Sequence, residues 1–210
     1  MTQYEFTDLS GPGRRAIWAT CAYACAQLGL SAAHVYQNAV IRGYISGTTD
    51  DAALLQSDNV VGMTSIVFLL LLILVFIVNG RFIYLASRNA AVMTPDSQAI
   101  TPGWAVGWFA VPIANFWMPY RAMKETWLRT FKTADTVPGW FVIWWLSWVA
   151  MNIVDQVLGR MSPPNNLPDY IGYNQAFIVS GVLWLIPAYL FLRIIRALKE
   201  AKHNPAEVFA

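Results

Sequence analysis

The side chains in this 210-residue sequence that could carry chemistry are few and poorly spaced for it. Cys21 and Cys25 stand four residues apart in one apolar run. On successive helical turns a bridge between them would be strained and would constrain nothing distant, so they read as small packing residues, with redox and metal roles as the alternatives. His34 and His203 fall on opposite sides of the membrane in the topology derived below, which argues against a paired-histidine haem or a zinc cluster. Asn152 and Asp155, three residues apart, form a candidate intramembrane polar pair. A carboxylate inside a span invites a proton or cation role, whereas its place near the end of the span suits a solvated helix terminus. No Ser-His-Asp order, phosphate loop or zinc spacing occurs, so no catalytic residue, cofactor or metal is expected.

A different chemistry is offered by residues 104–120, where Pro112, Asn115 and Pro119 interrupt an apolar run. Trp104, Trp108, Pro112, Asn115 and Pro119 follow at steps of 4, 4, 3 and 4, with Gly107 among them, and share one face if a helix persists. The prolines remove two backbone donors. Asn115, able both to donate and to accept, is expected to satisfy a backbone group freed there. Downstream, Phe116, Tyr120, Met123, Trp127 and Phe131 form an apolar stripe, with Arg121, Lys124, Glu125, Arg129 and Lys132 opposite. That is an amphipathic helix with tryptophan at the boundary and a basic outer face, suited to an anionic leaflet. At roughly 1 kcal/mol per basic residue near such a surface, the four cations hold it there reversibly. Glu125 has Arg121 and Arg129 one turn to either side for support. The segment 102–133 is therefore expected to be interfacial or re-entrant. Three uses compete for its first half: a bent structural hairpin, a docking site for protein or lipid, or a pore or substrate loop, because broken backbone at membrane depth is tolerated where it lines a cavity.

The elements that must position these residues follow from composition. Hydrophobic residues make up 57% of the chain and charged residues 12%, about half the share of a soluble domain, which argues against a water-soluble enzyme. The polar stretches are too short to build another core, so a single membrane domain is expected over residues 1–210. Spanning helices are predicted at about 16–38, 61–80, 139–158 and 175–195, the last kinked by Pro187. The residues 66–78 carry no polar side-chain atom and should face lipid. In the first span Ala19, Ala22, Ala26, Gly29 and Ala33 make a stripe of small residues, expected to be the main packing seam. Arg14 and Arg15 before that span resemble the start of a signal peptide, but the run is long and contains Gln27, so a retained anchor is expected.

Positive residues decide whether 104–120 crosses. If it does not, 12 of the 14 Lys and Arg lie on one side, with only Arg42 and Arg160 opposite; if it does, the division is 9 against 5. The positive-inside rule favours the first arrangement: four spans, both termini cytoplasmic, and a hairpin entered and left from the cytoplasmic side. The basic residues thus serve orientation, and no nucleic-acid partner is expected.

The runs 82–90 (Phe-Ile-Tyr-Leu-Ala-Ser-Arg-Asn-Ala), 101–109 (Thr-Pro-Gly-Trp-Ala-Val-Gly-Trp-Phe) and 111–127, with Pro112, Asn115, Pro119-Tyr120 and Trp127, resemble the bacterial family known as domain of unknown function 4328. The resemblance continues more weakly through the last two spans, around Pro138-Gly139-Trp140 and Trp144-Trp145. It implies a bacterial multi-pass membrane protein and assigns no activity, cofactor or catalytic residue. The expectation is an all-α, integral membrane helical bundle of the inner membrane with a cytoplasmic hairpin. Its expected role is non-catalytic: an accessory, scaffold or assembly protein that binds another membrane protein or membrane lipid, including anionic lipid at Arg121, Lys124, Arg129 and Lys132. The alternative is a small transporter or channel using the broken segment 104–120. Trp104, Gly107, Trp108, Pro112, Asn115, Pro119 and Trp127 are the candidate interaction or structural site.

Overall fold

The computed structural model of the chain describes residues 4–93, 99–132 and 136–201, and every regular element within them is helical. Lys202, His203 and Thr133, the end of the predicted hairpin segment, lie outside the described residues. In chain order the helices are α1 (Ser10–Ile45), α2 (Asp51–Met93), α3 (Pro102–Gly107), α4 (Met118–Thr130), α5 (Gly139–Leu158), α6 (Leu167–Leu183) and α7 (Leu185–Glu200). Single 3-10 turns occupy Trp108–Ala110 and Ala114–Phe116.

Among the described residues four stretches are long and apolar enough to cross a membrane: α1, α2, α5, and α6 with α7 together. This is an all-helical membrane protein. Residues 104–120 are not among the four, because the chain there holds only α3, of six residues, and two short turns before α4 begins. The helices α1 and α2 outrun their predicted spans: at 36 and 43 residues they are about 54 and 65 Å long, against roughly 30 Å of hydrocarbon. Local signals set the ends. Asp50 Oδ1 accepts the Ala53 N–H at 2.9 Å at the start of α2, and Asn166 accepts the Asp169 N–H at 2.9 Å at the start of α6. Gly47 follows α1 with φ +75°, a left-handed turn that a side chain would strain. Pro187 cannot donate to the Leu183 carbonyl, and the helix is interrupted at Trp184 between α6 and α7.

The chain divides into two compact units. The first comprises Met1–Thr20, Val75–Trp145 and Tyr189–Ala210. Its interior is built mainly of apolar side chains, with Phe82, Ala105, Met123, Phe141, Ile194 and Ile195 fully buried, and it also buries Asn89 and Thr126. Trp127 meets Trp140 and Phe141 edge-on at 5.5 and 5.4 Å, Trp144 stacks on Phe191, and the Arg193 guanidinium lies 4.5 Å from the centre of the Trp140 ring. The segment before α1 is tied to α2 by Asn89, whose amide donates to the Thr7 carbonyl and accepts the Thr7 N–H.

The second unit comprises Cys21–Leu74 and Leu146–Ala188. Here α1 turns Tyr23, Gln27, Ser31, His34, Gln37 and Asn38 inward, all buried. This overturns the expected seam of small residues. Gly29 is exposed, with no neighbouring atom in reach of an added Cβ, and of the stripe only Ala33 is buried. The physical reason is that polar side chains are costlier to leave in an apolar surrounding than alanines, so they take the inner face. The close approach is made instead by Gly181 of α6: a Cβ there would stand 2.3 Å from Ser31 Oγ.

Candidate functional site

The hairpin begins at Pro102, whose missing N–H costs nothing in the first turn of α3. The rings of Trp104 and Trp108 pack at 4.5 Å, and Gly107 leaves room for the Trp104 ring, 3.2 Å from where its Cβ would be. The helix does not persist beyond this point, so the single face of Trp104, Trp108, Pro112, Asn115 and Pro119 does not form. Instead the chain reverses at Pro112 and Ile113. The Ala114 N–H donates to the Pro112 carbonyl at 2.7 Å around Ile113, which has φ 66° and ψ −58°. That is a γ-turn of the strained hand, and for a β-branched residue a marked departure from ordinary backbone. Ile113 is 71% exposed, Phe116 and Trp117 just after it in the chain are also open, and so is Trp104.

The break is not closed by Asn115. The Asn115 N–H donates to the Val111 carbonyl at 2.9 Å, so the backbone supplies its own bonds. The Asn115 Oδ1 is buried without a hydrogen-bond partner, as is Trp108 Nε1. The expectation that this amide would satisfy a freed backbone group is therefore corrected. What holds the returning strand of the hairpin is the Phe116 carbonyl, which accepts the Trp145 indole N–H at 3.2 Å. Trp145 lies six residues into α5, so this contact is about 9 Å along α5 from its first residue.

The α4 helix then starts with Pro119 buried in its first turn and runs with Met123 and Trp127 buried, as the apolar stripe requires. Tyr120 meets the Phe141 ring at 6.0 Å. The opposite face differs from the sequence reading at one residue. Arg129 is buried and pairs with Glu125 at 2.8 Å, so it is not an outward cation. Burial pushes its guanidinium below the usual arginine range, and Glu125 pulls it back up. Glu125 Oε1 also accepts the Ala99 N–H at 2.9 Å, which fixes the segment before α3 against α4. Between them lies an open groove of about 760 Å³ whose lining includes Tyr120, Arg121, Lys124, Leu128 and Lys132.

The proposed pair in α5 does not form. Asn152 donates back to the Trp148 carbonyl at 2.8 Å, while Asp155 accepts Ser180 Oγ at 2.7 Å and the Trp184 indole N–H at 2.8 Å. The three-residue spacing put both on one face, but each amide or carboxyl found a nearer partner. Both cysteines are free, Cys25 exposed, and among the described residues no three His, Cys, Asp or Glu side chains gather as a metal site.

A cluster in the second unit went unread in the sequence. Asn174 of α6, fully buried, accepts from His34 Nδ1 at 3.1 Å and donates to Gln37 at 2.8 Å and Asn38 at 3.0 Å. Gln37 donates onward to Asp58 at 2.7 Å, and Asn38 to the Ile171 carbonyl at 3.3 Å. The signal available in the sequence was the helical spacing of Gln27, Ser31, His34 and Asn38; the partner Asn174, 140 residues beyond His34, left none.

No curated protein and no solved structure gives a significant match to the chain. A family profile does match, over residues 46–200, which takes in α2 to α7 with the hairpin and leaves α1 outside. The chain accordingly belongs to the family described as Domain of unknown function (DUF4328).

Proposed function

We propose that the chain is a non-catalytic, multi-pass protein of a bacterial cytoplasmic membrane, with both termini cytoplasmic, acting as an accessory, scaffold or assembly protein through its 102–132 hairpin. The observation that carries this reading is the tip, where the strained turn at Ile113 holds Phe116 and Trp117 open beside it. Strain of that kind costs about 1 to 3 kcal/mol and persists where the surroundings enforce it, commonly where a site uses it. Exposed apolar groups at a fixed turn suit an apolar partner, either a neighbouring helix or the acyl region of lipid. The charge distribution supports cytoplasmic termini, and a tip held about 9 Å along α5 suits a shallow entry.

The test is a photo-crosslinking amino acid placed at Ile113, Trp117 and, as a control on the exposed face of α2, Leu70, in intact membranes. The reading expects discrete adducts from the two hairpin positions that Leu70 does not give. Identical adducts at all three positions would remove it. A small transporter or channel built on 104–120 is the second reading, favoured by the unpartnered Asn115 and Trp108 atoms. Its signature is an Asn115→Cys variant, in a chain free of Cys21 and Cys25, that reacts with an impermeant thiol reagent, together with an altered ion flux in Asn115→Asp.

A further inference from the structure

The groove beside α4 has a construction that a merely basic surface lacks. Arg121 and Lys124 are three residues apart on one helix face, with β-carbons about 5 to 6 Å from each other, and Lys132 lies beyond the helix end on the same lining. Among the described residues these three cations have no carboxylate partner within ion-pair distance, whereas the fourth, Arg129, is committed to Glu125. Glu125 Oε1 thus does two things: it neutralises Arg129, which like Glu125 itself lines the groove, and it pins the far wall through the Ala99 N–H. Tyr120 and Leu128 add an apolar floor next to the charges.

We infer that this groove is a discrete site for the phosphate of an anionic phospholipid, one lipid per chain, held by Arg121, Lys124 and Lys132. The inference rests on the hairpin being the part of the molecule that meets the membrane, and it adds the chemistry of the headgroup. Lipid is the occupant because apolar lining and cations occur together, and because α4 lies along the first residues of α5, a helix apolar and long enough to span. Arginine can grip a phosphate through two parallel N–H bonds and lysine supplies a point charge, so the three together favour a phosphodiester with net negative charge over a zwitterionic one.

A diffuse basic surface and a built groove respond differently to where two cations are removed. Diffuse attraction depends on the number of cations and predicts like losses wherever two of them are removed; a built groove predicts loss only when its own lining cations Arg121, Lys124 and Lys132 are removed. The experiment is native mass spectrometry of the full chain titrated with phosphatidylglycerol or phosphatidylcholine of identical acyl chains. The site expects one retained phosphatidylglycerol per chain, preferred about fivefold for each cation engaged. Arg121→Gln with Lys124→Gln should abolish the preference and Lys132→Gln should reduce it. Arg42→Gln with Arg160→Gln, exposed cations elsewhere, should leave it intact. Equal losses from both double variants would overturn the site. Displacement of the lipid by millimolar inorganic phosphate, with no difference between the two lipids, would assign the groove to free phosphate and also overturn it. Hairpin crosslinks that survive alongside loss of headgroup preference would remove this inference alone, whereas their absence would remove the reading beneath it.

Discussion

The second unit and the hairpin of the first handle polar atoms in opposite ways. In the second, six polar side chains of α1 are buried, yet Asn174 alone satisfies three of them, Asp58 and the Ile171 carbonyl extend the chain of bonds, and only Ser31 Oγ is left without a partner. In the first, Asn89 and Arg129 are buried and paired with Thr7 and Glu125, but the hairpin leaves Asn115 Oδ1 and Trp108 Nε1 unpaired beside a strained γ-turn. Buried polar groups without water must find partners inside the protein, and a paired network specifies one arrangement of its helices. Where pairing and relaxed backbone are both forgone, some other demand has shaped the chain. The contrast separates a region built for stability from one built for encounter.

The largest expected effect tests the stable side of that contrast. Asn174→Leu removes three hydrogen bonds at once, and the orphaned His34, Gln37 and Asn38 side chains should cost about 2 to 4 kcal/mol. Thermal unfolding in detergent checks it; a melting temperature equal to that of the wild type would mean the network is decoration. Next comes Gly181→Ala, which forces Ser31 Oγ or the α6 backbone to shift, at roughly 1 to 3 kcal/mol of overpacking. The paired control is Gly29→Ala, where space is open and no loss is expected; yields of folded protein compare the two.

The encounter side should behave the other way. Ile113→Gly relieves the positive φ and should raise stability by about 1 kcal/mol while weakening crosslinks from Trp117, a separation of stability from function that melting and crosslinking measured together can reject. The smallest effect is expected of Asn115→Leu. Since its Oδ1 is already unpartnered, replacing the amide should change the melting temperature little or raise it, by at most about 1 kcal/mol. A clear loss would show that Asn115 binds something after all and would blur the contrast.

Much of the architecture could be read from single residues and their period. The uncharged run in α2 announced itself because nothing polar interrupts it, and α5 falls on its predicted 139–158, since apolar length and lipid thickness are matched quantities. The buried stripe of α4 at Met123 and Trp127 followed from the 3.6-residue period. The α1 face was misjudged because small residues mark possible close approach, while burial there was decided by the cost of placing Gln27 or His34 toward lipid. Asn115 was misjudged for a more local reason: backbone groups on either side of Pro112 bonded to each other, which residue types alone do not disclose. Arg129 shows the same limit, as its burial depends on Glu125 together with a main-chain segment some 25 residues earlier in the chain.

The unbroken length of α2 bears on how such a chain can change by insertion and deletion. One helix of 43 residues carries both the open apolar stretch near Leu70 and the buried Phe82, Ile83 and Ala86. Adding or losing one residue between Phe82 and Asn89 would turn every later side chain by about 100° and carry Asn89 away from Thr7. Changes of seven residues, close to two whole turns, would alter length while nearly keeping the facing. Relatives should therefore keep the residue count over 82–89, and a one-residue insertion after Leu85 should abolish folding where the same insertion after Ser46 does not.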